Sequence, residues 1–236
     1  MIHVESLHKR FGKNVVLAGL DLDIAQGGIS AILGPNGSGK TTLIKTVLGM
    51  VIPNKGTIEV MDTPIGNRWK YRQDINYLPQ IANFPGNLKV RELIAMIKDI
   101  RQKPSDEQKL IGLFGLEPFL DNKLSNLSGG TKQKVNIVLT FMFDSPLIIL
   151  DEPTNGLDPL ALIRLKELIF EEREKGKTFL ITSHIMQFVE EVSDQIVYLL
   201  EGKIYFKGSI TELKTKTGQS NFERAIAAIS THNNHD

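Results

Sequence analysis

Gly28 Ile29 Ser30 Ala31 Ile32 Leu33 runs directly into Gly34 Pro35 Asn36 Gly37 Ser38 Gly39 Lys40 Thr41 Thr42, and Thr41 to Met50 has apolar residues at helical spacing. The order is a short apolar strand, a glycine-rich turn and a helix, and the turn fits the phosphate-binding pattern GxxxxGK[ST] in full. The glycines let backbone N–H groups converge on phosphate oxygens, and the helix N-terminus adds positive potential. Lys40 neutralises terminal phosphate charge, and the Thr41 hydroxyl is suited to Mg²⁺. A chance glycine turn would lack the flanking strand and helix, so nucleotide binding is the expectation.

A second strand signal supplies the acids. Leu147 Ile148 Ile149 Leu150 lies between Pro146 and Asp151. Four consecutive aliphatics fit a strand buried on both faces, as in parallel sheets. Asp151 at its end can complete a Mg²⁺ shell near Thr41, and Glu152 follows at once. Neighbouring side chains on a strand diverge, so Asp151 can hold metal while Glu152 orients and deprotonates a water. Without the upstream loop, the pair would read as a solvated strand end.

Outward from these two points, Ile2 to Leu22 reads as antiparallel strands turning at Gly12 Lys13 Asn14, and Thr57 to Val60 as a strand after the turn Pro53 to Gly56. Between Leu88 and Leu120 the apolar spacing becomes helical, which predicts an inserted helical subdomain. A helix from about Ser128 ends before Pro146. Helix Leu160 to Lys175, strand Thr178 to Ile181, helix Ile185 to Val192 and strand Ile196 to Leu200 continue an α/β alternation. The expected division is a core of about 1–80 and 145–215, a helical subdomain of about 81–144, and a C-terminal helix with a flexible tail over 216–236. His232 and His235 have an HxxH spacing, but the polar terminal setting favours a disordered end over a metal site.

The chain has 236 residues, 41% hydrophobic and 23% charged, which fits one large folded domain rather than a disordered or fibrous chain. Twenty-eight basic against 27 acidic residues give a net charge of +1, with no Lys/Arg run for nucleic-acid phosphates. No cysteine is present, so disulfides, thiolate metal sites and cysteine nucleophiles are excluded. No apolar stretch reaches the ~18 to 20 residues of a membrane span, and Met1 to Glu5 lacks a secretory pattern. A cytoplasmic location is expected.

Taken together these residues resemble the ATP-binding subunits of ATP-binding-cassette (ABC) transporters, over nearly the whole chain from Val4 to about Leu213. Leu127 Ser128 Gly129 Gly130, placed before Asp151, distinguishes this family from other phosphate-loop proteins. Gln80 in Tyr77 Leu78 Pro79 Gln80 looks like the Q-loop, Asn155 Gly156 Leu157 Asp158 like the D-loop, and His184 in Thr182 Ser183 His184 like the switch histidine. Phe11 stands where the family stacks adenine on an aromatic. Alone, Phe11 would read as a strand core residue, His184 as a structural histidine and Gln80 as a surface amide. The signature reads LSGGT, with Thr131 where the family more often has Gln, and Phe11 replaces the commoner Tyr.

The resemblance implies an α/β fold: a P-loop NTPase core with a mainly parallel sheet, an N-terminal antiparallel β region and an inserted helical subdomain. It implies ATP and Mg²⁺, held by Phe11, the loop residues 34–42 and, across a homodimer, Ser128, Gly129 and Gly130. Thr41, Gln80 and Asp151 would hold the metal, and Glu152, His184, Gln80 and Asp158 would serve hydrolysis. It also implies a separate integral-membrane permease, contacted through the helical subdomain and the Gln80 region, and no nucleic acid. Phe84 after the Q-loop reads either as an exposed anchor for that permease or as packing against the helices.

Within the family the single short cassette and Val90 Arg91 Glu92 Leu93 look most like ATPases of ABC-2-type exporters. The stretch Asn126 to Val135 also resembles the copper-processing NosF group that serves nitrous oxide reductase maturation. A soluble ABC-type ATPase without a permease is the alternative, opposed by the single cassette and the absence of sustained heptads. A non-hydrolysing regulatory cassette is a second, opposed by Lys40, Asp151, Glu152 and His184.

Overall fold

The hydrophobic pattern resolves into two sheets in a computed structural model that describes residues 1–66 and 69–232. β1 (Ile2–Phe11) and β2 (Asn14–Ile24) form an antiparallel hairpin closed at Gly12 and Lys13. After β3 (Gly28–Leu33) and α1 (Lys40–Val47), β4 (Lys55–Val60) pairs with β1 and β5 (Thr63–Pro64) with β4. The first sheet has the order β2-β1-β4-β5.

The second sheet is built by β3 with β6 (Ile75–Leu78), β7 (Leu147–Asp151), β8 (Thr178–Thr182), β9 (Gln195–Leu200) and β10 (Lys203–Gly208). Its order is β10-β9-β3-β8-β7-β6, parallel except for β10 against β9. β7 is buried along its whole length, and its faces divide between two cores. Ile148 and Leu150 face the helices on one side, while Leu147 and Ile149 face α1 and the antiparallel sheet on the other. Burial of this kind stabilises by about 1.5 to 3 kcal/mol per large aliphatic side chain, which fixes the position of the acids at the strand's end.

Between β6 and β7 the chain inserts α2 (Val90–Arg101), α3 (Glu107–Phe114) and α4 (Gly129–Phe141). α5 (Pro159–Glu174) and α6 (Met186–Val192) follow β7 and β8, and α7 (Ile210–Thr217) and α8 (Phe222–His232) close the chain. The architecture is the expected α/β fold: a phosphate loop in a mainly parallel core, an N-terminal antiparallel sheet and an inserted helical subdomain.

Four elements differ from the sequence reading. α1 stops at Val47 rather than Met50, because Gly49 takes a left-handed φ of 64° and Met50 N donates back to Lys45 O. β6 escapes the sequence reading because Asn76 interrupts it, yet Asn76 is buried and its amide donates to Phe143 O at 2.7 Å. β10 and α7 also escape it, although Ser209 and Glu212 form a capping box that marks the start of α7. His235 and the tail beyond His232 lie outside the described residues.

Candidate active site

The turn between β3 and α1 can be made only with glycine at two of its positions. Gly34 has φ 153° and Gly39 φ 109°. A Cβ on Gly34 would lie 2.0 Å from Leu199 O, and one on Gly39 would lie 2.9 Å from Val16 O. The pattern therefore reports both backbone conformation and close packing. Lys40 folds back over the loop, its Nζ donating to Gly34 O at 2.7 Å and Pro35 O at 3.0 Å. Burial pulls this ammonium below the ordinary lysine range, and the charges of Glu152 and Asp151 partly offset that pull.

Asp151 is 1% exposed at the end of β7, in register with Thr182 of β8. Its Oδ1 accepts from Thr182 Oγ1 at 2.5 Å, while Oδ2 is buried without a protein partner. A buried carboxylate oxygen left unpaired is costly, and it is the donor type that a hard divalent cation requires. With Thr41 and Gln80 lining the adjacent cleft, the residues fit Mg²⁺.

Glu152 leaves the strand by a route that alternation alone does not provide. Its φ is 52°, in the left-handed region, which costs about 1 to 3 kcal/mol for a residue with a Cβ. The backbone is held there by Glu152 N donating to Thr182 O at 3.0 Å and Thr182 Oγ1 at 3.1 Å. The side chain, also buried, pairs through Oε2 with His184 Nδ1 at 2.7 Å and accepts from His184 N at 3.3 Å. The left-handed turn thus separates the two acids. Strained backbone at such a point is characteristic of functional sites.

A cleft of about 500 Å³ joins these parts. Phe11, Asn36, Gly37, Gly39, Lys40, Thr41, Thr42, Gln80 and Glu152 line it. Asp151, Gly34, Pro35 and Ser38 are not part of this lining, and Ser38 Oγ is a buried hydroxyl without a hydrogen-bond partner. His184 is outside the lining and reaches it through Glu152. Phe11 is 52% exposed, with Lys9 Nζ 4.8 Å from its ring centroid, so it is not a strand core residue. Asn14 and Val16 complete the wall. Sequence reading missed them, although Asn14 pairs directly with Phe11 across the hairpin.

Ser128, Gly129, Gly130 and Asp158 are not brought to this cleft. Ser128 caps α4, accepting from Thr131 N at 3.2 Å, and its hydroxyl lies 2.9 Å from that of Thr131. Ser128 and Gly129 are exposed. A Cβ on Gly130 would lie 2.6 Å from Gly156 O. Asp158 caps α5 through Ala161 N at 2.8 Å and meets Lys134 Nζ at 2.6 Å, contacts that hold its carboxyl below the usual range. Gln133 Nε2 donates to Pro153 O at 2.9 Å. Phe84 is half-buried against the main core, whereas Ile81 beside Gln80 is 72% exposed.

A family model described as ABC transporter matches residues 17–155. The chain is 33% identical over 214 residues to the Nod factor export ATP-binding protein I of Burkholderia lata, covering 88% of this chain and 70% of that protein. It is 32% identical to the "Probable amino-acid import ATP-binding protein YxeO" of Bacillus subtilis, covering 90% and 91%. A solved ATP-binding subunit of an ABC transporter superposes with a TM-score of 0.91 at 28% identity, covering 98% of this chain and 99% of that one. A dimeric cassette in a post-hydrolysis state with ADP and phosphate shares the fold, with a TM-score of 0.81 at 23% identity, covering 89% and 98%. The glycine-bound phosphate loop, the paired acids and these matches converge on one conclusion: the chain belongs to the ABC transporter family, as an ATP-binding and ATP-hydrolysing subunit.

Proposed function

We propose that the chain is the motor subunit of a membrane exporter, cytoplasmic and bound to the inner face of the cell membrane through a separate permease. The observation that carries the hydrolytic part is the adjacency of Asp151, with one unpaired buried oxygen, and Glu152, turned toward the cleft. Phe11 offers an exposed ring face to adenine, residues 34–42 bind the phosphates, and Lys40 exchanges its loop carbonyls for phosphate oxygens. Thr41, Gln80 and Asp151 are the residues that would hold Mg²⁺, which when bound neutralises phosphate charge in the transition state. Glu152 takes the proton of the attacking water, and His184 fixes its carboxylate through Oε2. Among the described residues no helix is long and apolar enough to cross a membrane.

The exposed Ser128 face, outside the cleft of its own chain, supports a two-fold homodimer in which each signature segment completes the partner's site. A dimeric structure of the same fold is consistent with this arrangement. Asp158 joins the signature helix to the site segment by its pair with Lys134. Export is favoured because Nod factor export proteins recur among the relatives at 32 to 35% identity, although an import protein matches as well. The segment 126–135, which resembles the copper-processing group, forms a 3-10 turn, a cap and the start of α4, and holds no His, Cys or Met. Affinity purification of the chain from detergent-solubilised native membranes, with identification of any polytopic membrane protein bound to it, tests the proposal. Copurification with ATP hydrolysis altered by the partner is expected, and an independent, permease-free ATPase would refute it.

A further inference from the structure

The hydroxyl that links the two acids belongs to Thr182, a residue that serves only as a landmark before His184 in the sequence. Thr182 is fully buried at the end of β8. A hydroxyl has one proton and two acceptor positions. Here the proton goes to Asp151 Oδ1, at 2.5 Å, and one acceptor position takes Glu152 N–H, at 3.1 Å. A carboxyl group turns easily about its terminal torsion. Pinning Oδ1 fixes the direction of the other oxygen, the unpaired Oδ2. The same hydroxyl shares with Thr182 O the amide of a residue at φ 52°, from which the Glu152 side chain departs toward the cleft and His184.

We infer that Thr182 is a positioning residue for hydrolysis, whose single hydroxyl aims Asp151 Oδ2 at the divalent cation and holds the left-handed turn that presents Glu152. This rests on the reading of Asp151 as a cation ligand and Glu152 as the base. Valine has the shape of threonine and can neither donate to Oδ1 nor accept from Glu152 N–H, so it would free the Asp151 carboxylate and leave the Glu152 amide only its bond to Thr182 O, without opening a cavity.

The test compares Thr182→Val, Thr182→Ser and Thr182→Ala in the full chain. Serine and alanine both lack the methyl group and differ only in the hydroxyl, so their comparison remains decisive if the valine variant fails to fold. Mn²⁺ binding, followed by the electron paramagnetic resonance signal of the free ion with a non-hydrolysable ATP analogue present, is measured beside kcat and KM. The valine and alanine variants are expected to bind Mn²⁺ about 10- to 100-fold more weakly and to lose kcat by a similar factor, the usual effect of removing a partner that orients a ligand. Serine should stay within about threefold of wild type, and KM for ATP should move less than kcat. Equal Mn²⁺ affinity and kcat for serine and alanine would overturn the inference, as would wild-type values for valine. Asp151→Asn in the same titration separates the two levels. Wild-type Mn²⁺ affinity there would overturn the ligand reading itself, whereas weakened binding with an unaffected Thr182→Val would overturn only the role of Thr182.

Discussion

Replacing Glu152 by Gln isolates the proton-accepting function proposed for that residue, because almost every other contact it makes survives the change. The amide oxygen can accept from His184 N, as Oε2 does at 3.3 Å, and from a donating His184 Nδ1, which lies at 2.7 Å. The backbone anchors to Thr182 are untouched. What is lost in the fold is the charge assistance of those bonds, about 1 kcal/mol from the difference between charged and neutral hydrogen bonds. For a chain of this size that lowers the melting temperature by about 2 to 4 °C. Turnover should suffer far more. Loss of a general base costs about 10² to 10⁴ in rate, or about 3 to 5 kcal/mol of barrier. Phosphate release should therefore nearly vanish while ATP binding persists, and size-exclusion chromatography with ATP should show a trapped dimer. Hydrolysis at close to the wild-type rate would remove Glu152 from the catalytic role. A fall in melting temperature several times larger than expected would show that the residue acts on the fold instead.

Ser128→Arg should abolish hydrolysis with little effect on monomer nucleotide affinity, and mixing it with Lys40→Ala protomers should restore activity in part. Steady-state phosphate release from verified heterodimers checks this, and no recovery would exclude a shared site. Phe84→Ala should cost roughly half of a fully buried Phe deletion, about 1.5 to 2.5 kcal/mol, since the ring is only half-buried against the main core. Thermal melting of the isolated chain measures that loss, and an unchanged melting temperature would assign the ring to a partner surface. His3 has a pKa raised above its ordinary 6.5 because its ring N–H groups donate hydrogen bonds to Asp23 and Glu5. Its contribution to stability is complete below 6.5, while those carboxylates are ionised, and is lost as pH rises through the raised value. His3→Gln should lower the melting temperature on the acid side of that window and leave it unchanged at alkaline pH.

The phosphate loop was legible because a short motif there encodes both φ and clearance, as Gly34 and Gly39 show. β7 was legible because four aliphatics cannot be satisfied by one buried face. Elements whose stabilisation comes from distant partners were not. Asn76 makes β6 look polar until Phe143 O, Arg101 and Ser145 are placed around it. β10 is short, with Ile204, Tyr205 and Phe206 consecutive between Lys203 and Lys207, and its pairing with β9 is fixed only in three dimensions. The order of the motifs located Glu152 and His184, but the left-handed turn between Asp151 and Glu152 left no mark in composition. Nothing in Thr182 Ser183 His184 distinguished the threonine that binds both acids. Asn14 and Val16 joined the cleft through hairpin register, which a turn signal alone does not specify.

The close approach of Gly130 to Gly156 has a mechanical consequence. With Gln133 tied to Pro153 and Lys134 to Asp158, three successive attachments splice the first turns of α4 to the segment that follows Glu152. α4 is part of the helical insertion by sequence, but its leading end is anchored to the strand end that carries the acids. A displacement of residues 153–158 would strain all three contacts unless the exposed face at Ser128 moved with them. Force applied to that face by a partner returns along the same splice. In the proposed homodimer, movement of the Glu152 segment and movement of the surface offered to the neighbouring subunit would then be coupled through these three contacts.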